Sequence, residues 1–209
     1  MFADKDVLRR VPSGTHELLD VFGPTIEFLV SPDEGNDGFC VIRGTIPPGA
    51  FVPIHSHRDV ETFFVVSGEI EGLREGESGF EWIRAKTGDF MLVPSGAKHA
   101  WRNVSKQPAV QLVTTTAKLG RWFQEVGRPA TGNLGPPTAD DLQRFISVSA
   151  KYGYWLATPE ENAAVGISSF QIARNHLAFR SDRNAARTSS VKSCGCSQAA
   201  KCPPAVTLL

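Results

Sequence analysis

The chain has 209 residues, 22 basic against 22 acidic side chains and 41% hydrophobic residues. That length supports one domain with a sizeable core, and the zero net charge gives no basis for binding nucleic acid or an anionic membrane. No apolar run approaches the ~20 residues of a membrane-spanning helix. The first ten residues also lack the apolar stretch of a secretion signal. The expected location is therefore the cytoplasm, and the sparse cysteines of the body (Cys40 alone before residue 194) agree with it.

In chain order, short strands come first. His16 to Val21, Thr25 to Val30 and Phe39 to Ile46 are apolar or alternating, punctuated by Pro24, Pro32, Gly35 and Gly38. His16 reads as a surface strand residue and Cys40 as a small core residue. Six further strands are expected: 62–66, 69–73, 80–83, 90–93, 99–104 and 110–115. The Glu-Gly-Glu-Ser-Gly run at 75–79 reads as a hairpin loop. Many short strands with Gly/Pro turns imply an antiparallel sandwich or barrel.

After residue 120 the pattern turns helical. Arg121 to Val126 reads as a short turn of helix and 131–137 as a Gly/Pro linker. Thr138 is a natural N-cap before Asp140 and Asp141. Leu142, Phe145, Ile146 and Ser149 then fall on one helical face, and Gly153 is a stop. Thr158-Pro-Glu-Glu161 opens a second helix with proline at its first position. Both helices are expected on the outside or at the mouth of the strand domain.

From residue 167 the composition shifts to six basic residues against one acid, with Ser, Ala and Arg dominating and no sustained period. The expected reading is disorder. Cys194, Cys196 and Cys202 lie there too, without the paired Cys-x2-Cys or companion histidine of a zinc site. His176 reads as exposed. The expected organisation is thus 1–126 for the strand domain, 127–166 for a helical extension and 167–209 for a basic tail.

The chemistry is concentrated between residues 49 and 103. His55 and His57 are two apart, so on a strand they share a face. Glu61 follows four residues later at the start of the next strand, and His99 opens another strand after a Pro-Ser-Gly turn. Three imidazoles and one carboxylate suit a divalent first-row metal: iron, manganese, nickel, copper, cobalt or zinc. Phe51, Phe63 and Trp101 are spaced to share the face of these residues, either as a substrate pocket or as ordinary core. Asn103, four past His99, reads as a support for the site or as a turn former.

These residues carry a family resemblance. Gly49, His55, His57, Glu61 and Gly68 match G-x5-H-x-H-x3-E-x6-G, and Gly88, Pro94, Gly96, His99 and Asn103 match G-x5-P-x-G-x2-H-x3-N. Every specified position is filled at the stated spacing. The pair resembles the two motifs of the cupin superfamily over about residues 20 to 126. Only one copy occurs, so a single cupin is implied. The resemblance implies an all-β jelly-roll barrel with short C-terminal helices and one divalent metal on His55, His57, Glu61 and His99. Phe123 to Pro129 and Lys151-Tyr-Gly-Tyr more loosely resemble the C-terminal part of quercetin-dioxygenase-like bacterial cupins.

Three activities are compatible. One is a dioxygenase that takes a small aromatic, flavonol-like or diketone substrate and O₂, with Glu61 also serving as base. Another is a metal-dependent isomerase, cyclase or lyase, in which the same Lewis acid stabilises an enolate. The third is a non-catalytic small-molecule-binding protein. A homodimer is expected, because the sheet edges need covering and cupins commonly pair.

Overall fold

A computed structural model describes residues 8, 10–12, 14, 16–131 and 135–167. Its strands are β1 (Leu18–Asp20), β2 (Thr25–Val30), β3 (Phe39–Ile46), β4 (Phe51–Ser56), β5 (Glu61–Ser67), β6 (Glu69–Gly76), β7 (Gly79–Lys86), β8 (Phe90–Val93), β9 (His99–Arg102), β10 (Ala109–Thr116), β11 (Arg128–Pro129) and β12 (Trp155–Leu156). Three helices follow the main strands: α1 (Ala117–Val126), α2 (Ala139–Tyr152) and α3 (Pro159–Ala164).

The strands form two antiparallel sheets. One runs β11-β1-β2-β3-β10-β5-β8 and the other β12-β4-β9-β6-β7. This is the all-β class that the resemblance implies. Against expectation the barrel is not closed: no hydrogen-bonded strand pair joins the two sheets among the described residues. They face one another across a shared core instead.

Alternation explains that core. On β10, Ala109, Gln111, Val113 and Thr115 are buried while the residues between them are not; on β5, Glu61, Phe63 and Val65 do the same. A one-residue slip would turn each set outward. Ile42, Ile46, Val65, Ile70, Trp101 and Val113 come from both sheets and meet in one cluster. Fully buried side chains of this size are each worth roughly 1.5–3 kcal/mol. Gly72 leaves room for Trp101, since a Cβ there would sit 2.7 Å from the indole. Cys40 is fully buried, and burial first, then the charges of Glu61 and Asp59, push its thiol up to about 12. It is a core residue, as expected.

The helices show where propensity misleads. α1 begins at residue 117, four residues before the expected start. Thr116 caps it by accepting a hydrogen bond from the Leu119 N–H at 3.2 Å. The lack of an acidic first turn and the presence of Gly120 hide that start. Gly120 is there for packing: a Cβ would lie 2.7 Å from both Cys40 Sγ and Pro32. α2 has the expected cap, a reciprocal box between Thr138 and Asp141, and Gly153 ends it with φ 77°.

A second apolar cluster lies on the outer face of the five-stranded sheet. There Ile54, Leu73 and Ala100 are covered by Ile167, with Ala157 and Val165 packed against them. Ile167, counted with the tail from its sequence, is 3% exposed and belongs to this core. The other tail residues, with Cys194, Cys196, Cys202 and His176, lie outside the described residues.

Candidate metal centre

The two sheets deliver the four residues of the motif to one place. His55 on β4 stands directly opposite His99 on β9, with ring centroids 4.1 Å apart. His57 lies just past the end of β4, held where Gly96 N–H donates to its carbonyl at 2.7 Å. Glu61 opens β5 in the facing sheet. One donor atom from each residue lies within 4.8 Å of the others. His57, Glu61 and His99 are buried, and His55 is half-buried where it faces the cavity described below.

Hydrogen bonds set the tautomers. His55 Nδ1 lies 2.8 Å from the Pro53 carbonyl, His57 Nδ1 3.0 Å from that of Asp59, and His99 Nδ1 3.0 Å from that of Ala97. A carbonyl oxygen only accepts, so each Nδ1 carries the hydrogen and each neutral ring keeps its lone pair on Nε2. Such bonds are the usual orienting support of ligating imidazoles. His57 Nε2 is 3.3 Å from Glu61 Oε2 yet makes no hydrogen bond, and His99 Nε2 is 3.2 Å from the same oxygen. Lone pairs and a carboxylate at these distances need a proton or a cation between them. The set fits a divalent metal ion with mixed nitrogen and oxygen ligands.

Electrostatics treat the four residues differently. Burial, then the neighbouring His99 and His57, lower His55 to about 3, which keeps it neutral. Burial acts to raise Glu61, but its contacts with His57 and His99 outweigh that and hold the carboxyl at about 2. Burial lowers His57, and the adjacent Glu61 and Asp59 carboxylates more than reverse it, so its pKa is raised.

A cavity of about 470 Å³ opens beside the cluster, and His55, His57 and Glu61 form part of its wall. Most of the remaining wall is apolar, and no Lys or Arg is among the described residues lining it. Phe63 and Trp101 stand in the wall, with rings 4.4 Å apart. Phe51 borders the cavity, but its side chain packs with the outer cluster of Ile54 and Leu73. The cause is a register shift on β4: Val52 pairs with Trp101, but His55 pairs with His99. The extra residue reverses the alternation between them, so Phe51 borders the cavity from a different strand face than His55. Leu142, Phe145 and Ile146 of α2 also line the cavity, although Leu142 and Ile146 are 44% and 53% exposed.

Asn103 proves to be a turn former. Its Nδ2 donates to the carbonyls of Ile46 and Gln107, both at 2.8 Å, and its Oδ1 accepts from Ser105. Gly68 has φ 79°, and a Cβ there would lie 2.4 Å from the Pro108 carbonyl oxygen.

Two residues near the cluster were missed. Asp59 is 4% exposed; its carbonyl holds His57, and its carboxylate accepts from the Thr116 hydroxyl. Tyr154, 8% exposed, lays its ring 5.2 Å from that of His57. Burial, then the nearby Asp59 carboxylate, raise its phenol, although the two groups do not meet in hydrogen-bond geometry. The Lys-Tyr-Gly-Tyr stretch was the available signal for Tyr154. Asp59 had none beyond its place between two motif residues.

Several known proteins are similar to this chain. Quercetin 2,3-dioxygenase from Bacillus subtilis (strain 168) is 26% identical over 128 residues, which make up 59% of this chain and 37% of that enzyme. The chain therefore spans little more than a third of that relative. Among solved structures, the polyketide cyclase RemF from Streptomyces resistomycificus superposes with a TM-score of 0.47 at 17% identity, over 53% of this chain and 80% of that one. A predicted oxalate decarboxylase from Thermotoga maritima gives 0.46 at 20% identity, over 52% and 98%. The family model of the cupin domain matches residues 42–115, so the segment that holds all four clustered residues is a cupin domain.

Proposed function

We propose that the protein is a metal-dependent dioxygenase acting on a small, largely apolar substrate with adjacent oxygens, such as an aromatic, flavonol-like or diketone compound. One observation carries the reading: three Nε2 lone pairs and an ionised carboxylate converge beside an apolar cavity whose described lining holds no Lys or Arg. Such a wall suits a neutral organic molecule better than a polyanion. The likeness to a quercetin dioxygenase supports it.

His55, His57, Glu61 and His99 would hold the metal. When bound, it would acidify a substrate hydroxyl and relay electrons to O₂. The chain's own residues orient and exclude. The Nδ1 hydrogen bonds fix the imidazoles, and Phe63 and Trp101 keep water from the substrate. Glu61 Oε2 accepts the hydroxyl proton. A carboxyl held near 2 is a weak base, so that transfer depends on the hydroxyl being acidified first.

Oxygen-electrode traces of metal-loaded protein with a panel of catechols, flavonols and diketones test this. Substrate-dependent O₂ uptake is expected. Turnover that proceeds equally well without oxygen would put the isomerase, cyclase or lyase chemistry in its place.

We also propose that the protein is a homodimer. Phe64, Val66, Phe90 and Leu92 are all more than 40% exposed on β5 and the edge strand β8. Phe64 and Phe90 are cross-strand partners, so the patch is continuous. An apolar patch at an open edge suits a second copy bringing the same surface.

A further inference from the structure

The cavity wall holds a buried glutamine that neither the fold nor the candidate metal centre uses. Gln111 is 2% exposed, and its amide nitrogen has no hydrogen-bond partner. A buried amide left unpaired costs about 1–3 kcal/mol, so its presence in an apolar wall calls for a reason. Its surroundings supply one. The unbroken alternation of β10 turns its side chain inward with those of Ala109, Val113 and Thr115. The residue across from it on β3 is Gly44, which also lines the cavity. Gly44 puts no side chain opposite Gln111, and a Cβ there would make only ordinary contact with Val113, at 3.8 Å.

Register places Gln111 relative to the cluster. Thr115 pairs with Glu61, and Gln111 lies four residues back along β10 on the same inward face. At 3.3 Å per residue this is about 13 Å along the strand. A single ring with its oxygens does not bridge that separation, whereas two linked or fused rings do.

We propose that Gln111 is the distal anchor of the cavity, hydrogen-bonding an oxygen at the far end of a multi-ring aromatic substrate whose near-end oxygens face the His55, His57, Glu61 and His99 cluster. The inference rests on the aromatic-substrate reading above and names the substrate's length and its second polar end. Gln111 is a positioning residue: it holds the far end and leaves the reacting atoms to the cluster.

Binding tests it without turnover. Metal-loaded protein is titrated anaerobically with 3-hydroxyflavone and with 3,4'-dihydroxyflavone, which adds one distal hydroxyl. The readout is tryptophan fluorescence, since Trp101 and Trp122 line the cavity. Wild type should bind the dihydroxy probe about 10-fold tighter, the worth of one good hydrogen bond. Gln111→Leu should erase that preference and leave the affinity for 3-hydroxyflavone unchanged. Its melting temperature should equal or exceed that of wild type, because an unpaired amide has been removed. Gly44→Ala, which narrows the space beside the amide, should weaken the dihydroxy probe more than the other.

A preference that survives in Gln111→Leu overturns the inference while leaving the dioxygenase reading intact. A melting temperature several degrees lower shows the amide to be structural and overturns it too. If wild type binds neither probe, the inference falls with the aromatic substrate class. A Gln111-dependent preference without O₂ uptake keeps the inference and removes only the dioxygenase.

Discussion

The outer faces of the two sheets are finished differently. Behind the five-stranded sheet lies the chain's C-terminal segment. β12 pairs with β4, setting Leu156 against His55, and Asn162 Oδ1 accepts from the Ile54 N–H at 2.9 Å. The Trp82 indole donates to the Val165 carbonyl, and Ile167 closes the cluster. Behind the seven-stranded sheet, Phe64, Val66, Phe90 and Leu92 stand exposed. The braced sheet contributes all three histidines, whose positions must hold to fractions of an ångström if they are to ligate a metal. The bare sheet contributes only Glu61. The extension after residue 127 therefore supports the candidate centre from behind and is more than an appendage.

The largest effect should separate the donors of the two sheets. His57→Ala, on the braced side, should lose the metal, because four ligands become three. Glu61→Gln keeps an oxygen ligand but removes the proton acceptor, so metal should be largely retained while turnover falls by roughly 10²–10⁴. Elemental analysis of both purified variants checks this, and equal metal loss in the two would leave Glu61 no role as base.

Next in size is the brace itself. A chain stopped after Ile167 should keep the melting temperature and metal content of the full protein. One stopped after Gly153 loses Tyr154, β12 and α3 and should lose metal affinity as well as stability. Asn162→Ala is the finer probe: it strands the buried Ile54 N–H and should cost about 1–3 kcal/mol. If denaturant titration shows no loss, the bracing account fails.

The bare face should respond in the opposite sense. Phe90→Lys with Leu92→Lys should leave stability within about 0.5 kcal/mol of wild type and halve the mass measured by light scattering at micromolar concentration. A wild type already monomeric there would show that the patch is not covered by a second copy.

The smallest effect concerns the start of the extension. Hydrogen bonds from the Thr138 backbone and hydroxyl hold Asp141 below its usual value of 3.8. A depressed carboxyl contributes stability that is whole above pH 3.8 and is lost as pH falls through the lower folded value. Metal-free Asp141→Asn should melt slightly below metal-free wild type at pH 7, and the gap should close in acid. A gap independent of pH would mean that Asp141 acts through shape rather than charge.

Much of this was legible in the sequence because it is local. Alternating residues and Gly/Pro turns located β2, β3 and β8 at their observed bounds, and Thr138 and Gly153 bracketed α2, since caps and turns depend on a few adjacent residues. The spacing of His55, His57, Glu61 and His99 named the clustered residues for the same reason: strand period and turn chemistry carry each donor to its place.

Tertiary structure decided what depends on partners distant in sequence. The register shift on β4 set Phe51 against the outer cluster of Ile54 and Leu73 while it still borders the cavity; a bulge is a relation between two strands and leaves no mark on either alone. The early start of α1 rests on Gly120 fitting against Cys40 and Pro32, 80 or more residues away. Tyr154 reached His57, and Ile167 entered the core, because the chain folds back across the sheet that holds the histidines. Local chemistry chose the donors, and long-range packing decided what surrounds and supports them.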